Sequence, residues 1–263
     1  MLGTANVSLK EKDIANVEIL LPPLPEQRRI VGRIEELAAQ IQAARTIREQ
    51  AAKESEALFA SKFLSTVQAC GDSTRLIPFT EIAKLKRRPI TVQIDKSYRE
   101  IGVFCFGRGI FHKTPRSGAE VGAKELFEIH AGDFILQITF AWEGAVGLAG
   151  PSDHGLFGSV RYLTFRVDES ICSPRYLLTY MRTPKAIAEL GRISPGSAGR
   201  NRVLSVKRLK EMLVPVVPLQ AQAWLTDALQ EEVDALKRLQ AETAVELDAL
   251  LPSILDCAFK GEL

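Results

Sequence analysis

The sequence predicts an α+β protein, in which one mixed α/β domain is inserted between two long helices that pair as an antiparallel coiled coil. Three observations lead there. From Leu21 to about Val67 the chain has helical apolar periodicity, broken by no proline after Pro25 and by one glycine, Gly32. The same lead-in and helix return 195 residues later. Between the copies, short runs rich in Val, Ile and aromatics alternate with glycine turns, as strands do.

In chain order, residues 1–20 carry a small apolar alternation (Ile14, Val17, Ile19) that is expected to add a strand or dock beside the helix lead-in. Pro22, Pro23 and Pro25 then hold the chain extended, because proline fixes φ and pushes its predecessor out of the helical region. Pro25 is tolerated in a first helical turn, and Glu26 places negative charge at the positive helix end. This PLPEQ stretch is read as a helix positioner rather than a proline-rich ligand. Ile30, Ile34, Leu37, Ile41, Ala44, Ala51 and Leu58 form the predicted seam, with Arg48 and Ser55 as weak positions. At 1.5 Å per residue, roughly 40 residues make a rod of about 60 Å. A helix that long needs a partner for its apolar seam.

The partner lies in the same chain. Shifting by 195 superposes Asn6, Lys12, Pro23, Leu24, Gln27 and Glu36 on Asn201, Lys207, Pro218, Leu219, Gln222 and Glu231. Ile30, Ile34 and Ile41 fall on Leu225, Leu229 and Leu236. Such an internal repeat sets the architecture before any local feature does. The expected order is 1–20, a domain tail; 21–69, the first helix; 70–215, the globular domain; 216–263, the second helix. The pairing is expected to be antiparallel, because the insert must begin and end near one end of the rod pair.

Within the insert, Cys70-Gly71-Asp72-Ser73 breaks the helix. Ile101–Phe106, Phe127–His130, Asp133–Ala141, Ala145–Ala149 and Val160–Val167 read as strands, with Ala131-Gly132-Asp133 as a turn. In the last run, Arg161 and Leu163 share a face under plain alternation, unless a bulge separates them. Pro174–Thr183 and Pro184–Leu190 read as helical, stopped by Gly191. Ser194–Asn201 is a glycine-rich loop.

The 263 residues are 46% hydrophobic and 25% charged, enough to bury a core, with no run long enough to span a membrane. Cys70, Cys105, Cys172 and Cys257 lack metal or disulfide spacing and are read as reduced thiols of a cytoplasmic protein. The net charge of +2 is unevenly spread. Residues 67–218 carry 22 basic against 14 acidic side chains, whereas residues 219–252 carry two against seven. The middle region suits a polyanion and the last helix would be repelled by one.

A PLPEQ-type lead-in to a long helix, repeated as PLQAQ after a globular region and closed by AFKGEL, resembles the specificity subunit of type I restriction–modification systems. That family has two target-recognition domains alternating with two long helices that pair as a spacer. This chain departs in holding one domain-sized region. The resemblance implies a non-catalytic subunit, itself without cofactor, that binds double-stranded DNA. It also implies DNA adenine methyltransferase subunits using S-adenosylmethionine and an ATP-driven motor-nuclease (restriction) subunit as partners. A second copy, or a complementary specificity chain, would supply the other domain.

Basic residues cluster at Lys84, Lys86, Arg87, Arg88, Lys96, Arg99, Arg108, Lys113 and Arg116, then from Arg182 to Lys210. Glycine-rich segments lie inside both clusters. Cations there neutralise phosphates, and Arg or Asn in loops can read base edges. The candidate contacts are Arg108, Lys113, Arg116, Arg192, Ser197, Arg200 and Asn201. Trp142 is read as a half-buried core residue. His112, His130 and His154 are far apart, and no hydrolase, methyltransferase or nuclease signature is present. The competing class is a coiled-coil assembly protein without DNA read-out.

Overall fold

The computed structural model describes residues 21–196 and 202–263. The elements are α1 (Leu24–Ala69), β1 (Arg75–Pro78), α2 (Phe79–Ile82), β2 (Ala83–Leu85), β3 (Pro89–Ile90), β4 (Ser97–Tyr98) and β5 (Ile101–Val103). Next come β6 (Ile110–His112), β7 (Arg116–Ser117), α3 (Gly118–Val121), β8 (Leu126–Glu128), β9 (Phe134–Gln137), β10 (Val146–Leu148), β11 (Phe157–Ser159) and β12 (Tyr162–Val167). The chain closes with α4 (Pro174–Met181), α5 (Pro184–Arg192), α6 (Val206–Glu211), β13 (Leu213–Val216) and α7 (Leu219–Lys260). Residues 52–237 form one compact unit; the described residues up to Ala51, with Arg238–Leu263, form another.

The larger unit is built on an antiparallel sheet ordered β10-β9-β12-β2. Every residue of β9 is buried. Its alternation sorts Phe134 and Leu136 into the main core and Ile135 into a second cluster with Ile101, Ile129, Ala149 and Tyr162. The sheet is therefore apolar on both faces. In the main core Phe79 meets Phe165 edge-on at 5.1 Å, and Phe63 of α1 packs on Tyr176 at 5.2 Å. The Tyr176 hydroxyl, wholly buried, donates to the Pro215 carbonyl at 2.7 Å. The α4–α5 break follows from Pro184, with Thr183 Oγ1 accepting from Ala186 N.

The predicted strands are present but shorter, because turns cut them. Val160 and Arg161 form a turn, and the strand begins at Tyr162. Arg161 therefore lies outside the alternation and no bulge is needed. In α1 the predicted seam holds through Ile30, Ile34, Leu37, Ile41 and Ala44, with Ile41 the most buried. It then departs: Ala51 is exposed and Leu58 is 71% exposed. Ala60, Phe63 and Val67 point inward instead, because the core of the larger unit selects their face. The side chains of Leu229 and Leu236, like residues 1–20, lie outside the described part.

The repeat returns as a shared bond. Gln27 Nε2 donates to the Pro22 carbonyl at 2.7 Å, and Gln222 Nε2 donates to the Val217 carbonyl at 2.7 Å. Each amide reaches five residues back and locks the extended lead-in onto its helix. Gln222 is fully buried and also ties Ser173 N and the Ile171 carbonyl. In the smaller unit, Arg29 donates to the Leu263 carbonyl at 2.6 Å and Arg45 pairs with Asp248 at 2.7 Å.

Gly118, the first residue of α3, admits no side chain. A Cβ there would lie 1.9 Å from the Gln93 carbonyl oxygen, a backbone atom that cannot swing away. Gly118→Ala is expected to cost about 1–3 kcal/mol, seen as a lower urea midpoint at unchanged slope. A wild-type midpoint would show that the 93–96 turn yields freely.

Candidate nucleic-acid interface

β5 and β6 form a hairpin with Ile101 opposite His112, Gly102 opposite Phe111 and Val103 opposite Ile110. Two glycines seat it. The Phe111 ring occupies the space where a Gly102 Cβ would stand, 2.1 Å from Cζ, so the aromatic covers its bare cross-strand neighbour. A Cβ on Gly147 of β10 would meet Ile110 Cγ1 at 2.7 Å, so the hairpin packs directly on that backbone. At the tip, Phe106 N donates to the Glu143 carbonyl at 2.7 Å and Gly107 N to that of Gly144 at 2.9 Å.

The base of the hairpin is electrostatic. Glu100 is 2% exposed and accepts from Arg116 and Lys124, with Lys113 Nζ 4.0 Å away. Burial pushes the Glu100 carboxyl up, but the bonds from Lys124 and Arg116 outweigh it, leaving it below the usual carboxylate range. Three cations around one carboxylate leave an excess of two positive charges. The cations are all more than a third exposed, so they reach solvent while the carboxylate holds their charged ends. Lys113 also lies 5.5 Å over the Tyr162 ring.

Arg108, Lys113 and Arg116, predicted from sequence, thus lie on this hairpin and the strand after it. Arg108 stands 5.0 Å over Phe104, whose ring stacks on Phe111 at 4.3 Å. Arg192 is elsewhere, at the end of α5, paired with Glu189 one turn back. Ser197, Arg200 and Asn201 lie outside the described residues. Lys124, Glu100 and Phe106 were missed by sequence reasoning. Glu100 left one trace there, an acid inside a basic cluster.

Other members of the first basic cluster serve the fold. Arg87 covers the Phe127 ring at 3.5 Å and donates to the Tyr162 carbonyl at 2.7 Å. Arg88 forks onto Asp133 at 2.7 and 3.2 Å. Trp142 is half-buried, its Nε1 donates to the Thr139 carbonyl, and Arg202 lies 4.8 Å over its ring. His112 pairs with Asp153 at 2.7 Å, while the His130 and His154 rings meet tilted, 4.9 Å apart. Among the described residues, no three His, Cys, Asp or Glu side chains converge as metal ligands. Burial raises the Cys105 thiol to about 11, with Glu143 adding to the shift, so it stays protonated at neutral pH. No described helix is long and apolar enough to cross a membrane.

The described residues define an α+β unit with a cationic hairpin, flanked in sequence by two long helices. No family model matches the sequence, and no curated protein matches it. Solved structures do. A structure concerned with complex assembly and conformational transition of the type I R-M system is 25% identical, with a TM-score of 0.61 over 99% of this chain and 66% of that one. The HsdS subunit from Thermoanaerobacter tengcongensis is 25% identical, with a TM-score of 0.48 over 100% of this chain and 65% of that one. The type I restriction–modification S subunit from M. genitalium is 16% identical, with a TM-score of 0.44 over 86% and 58%. Two of these structural neighbours are type I specificity subunits by name, and the type I R-M structure shares the fold over nearly the whole of this chain at low identity. The chain spans 58–66% of the length of those it matches.

Proposed function

We propose that this chain is a sequence-specific DNA-binding specificity subunit, directing a type I methyltransferase and restriction complex to its target through one recognition domain. The observation that carries the reading is the β5–β6 hairpin. Arg108 stands near its tip and Lys113 follows β6 at its base, where the buried Glu100 carboxylate gathers Lys113 with Arg116 and Lys124 from the segment after it. Phosphate contacts of this kind supply affinity and register on the duplex. Arg192, Ser197, Arg200 and Asn201 are proposed as further contacts.

The long helices act as an antiparallel coiled-coil spacer. Arg29 touches Leu263 and Arg45 touches Asp248, so 16 residues forward on one segment answer to 15 backward on the other. This supports the antiparallel sense. The acidic second helix faces protein partners: the adenine methyltransferase subunits and the motor-nuclease subunit. Catalysis and its cofactors belong to those partners. With one recognition domain, the chain reads one half-site. A second copy or complementary chain brings the other and raises effective concentration without new contacts.

Selection from random duplexes with the purified chain is expected to recover a single half-motif or a palindrome of it, since two-fold protein symmetry is mirrored in the site. Its retention on duplex DNA should fall steeply with salt. An asymmetric two-part motif would overturn the single-domain reading. Absence of salt-dependent retention would favour an assembly protein without DNA read-out.

A further inference from the structure

The tip of the β5–β6 hairpin holds a residue that the phosphate-contact reading leaves unexplained. Phe106 has φ +60, the one positive value among the described non-glycine residues. L side chains avoid this region unless their surroundings impose it, and an aromatic is poorly suited to it. The residue gains little burial in return, being 66% exposed. Glycine or asparagine would suit the backbone better, and a polar side chain would suit the solvent better. Neither the fold nor solubility accounts for a phenylalanine here.

The surroundings hold the ring outward. Phe106 N and Gly107 N are bonded to the Glu143 and Gly144 carbonyls, and Phe104 N closes the tip on the Gly109 carbonyl at 2.9 Å. Gly107 is buried, and a Cβ there would meet Arg182 Nε at 2.5 Å, so the backbone behind Phe106 is pressed against the protein. Arg108 is exposed two residues on, over Phe104. An outward aromatic on a rigid tip, flanked by a guanidinium and followed by Lys113 and Arg116, is directed at a polyanion that also offers apolar surface. Duplex DNA has both, in its phosphates and in the base edges and thymine methyl groups of its grooves.

We propose that Phe106 is a specificity-determining residue whose ring contacts bases of the target, while the hairpin cations contact the flanking phosphates. This rests on the DNA-binding reading above. The test compares full-length wild type, Phe106→Gly and Phe106→Tyr in random-duplex selection, with salt titrations of binding and thermal melts. Glycine keeps the left-handed backbone and removes only the ring; tyrosine keeps the ring. Phe106→Gly is expected to melt at least as high as wild type and keep the salt slope. At one or two adjacent motif positions it should lose roughly tenfold or more in base discrimination, and Phe106→Tyr should restore most of it. An unchanged motif in Phe106→Gly would overturn the proposal. So would a lower melting temperature, which would make the ring structural, or a reduced salt slope with discrimination intact. A wild type that binds without any motif would overturn the DNA-reading function itself, and that outcome is visible before any variant is made.

Discussion

Arg88→Ala is expected to lower the unfolding free energy by about 3 kcal/mol, at the lower end of the range for breaking a buried ion pair, and to leave the salt dependence of DNA binding unchanged. Asp133 has no exposed surface. Its carboxylate takes both prongs of the Arg88 fork and the His130 N–H at 2.9 Å, with Arg166 3.7 Å away. Without Arg88 the charge stays buried with one N–H and a distant, half-exposed cation, and that partial compensation sets the lower end. Arg88→Lys should recover only part of the loss, because an ammonium cannot fork. Urea denaturation measures both. A loss below about 1 kcal/mol would mean that Arg166 swings in as a full replacement.

The double variant Arg108→Ala with Lys113→Ala should behave in the opposite way. Arg116 and Lys124 remain to hold Glu100, so stability is expected to change little. Each lost phosphate contact reduces the salt slope by about 0.9, so the pair should remove about 1.8 and weaken binding on the order of fiftyfold at 0.1 M salt. Binding isotherms at several salt concentrations read both quantities. An unchanged slope would mean that the hairpin does not meet phosphate.

These two variants mark where sequence reading stops. Arg88 and Lys113 stand in one basic cluster, and composition cannot separate them. What separates them is Asp133 folding back from residue 133 and Glu100 presenting its carboxylate to three cations, both long-range facts. The glycine-aspartate turn itself was legible. Gly132 has φ +82, and a Cβ there would meet Arg166 Nη1 at 2.7 Å. The repeat was legible too, since Gln27 and Gln222 make the same backward bond. The phase of α1 past Arg48 was not: Leu58, Phe59 and Ala60 are adjacent apolar residues, and only the core they meet picks the inward ones. Phe106 left no signal, because a positive φ at a non-glycine residue has no signature in composition or spacing.

The hairpin tip has one more property. Phe104, Phe106 and Arg108 are exposed, whereas Cys105 is half-buried and Gly107 buried. The backbone bonds and the inward positions fix the shape, helped by the Phe104 ring on Phe111 and the Arg108 bond to the Cys105 carbonyl, whereas the Phe106 side chain stands outward. The side chain at 106 can therefore be exchanged without re-registering β5 against β6, provided it tolerates a left-handed backbone. Grafting other side chains onto that one place would change what the tip presents to solvent while the framework stays constant.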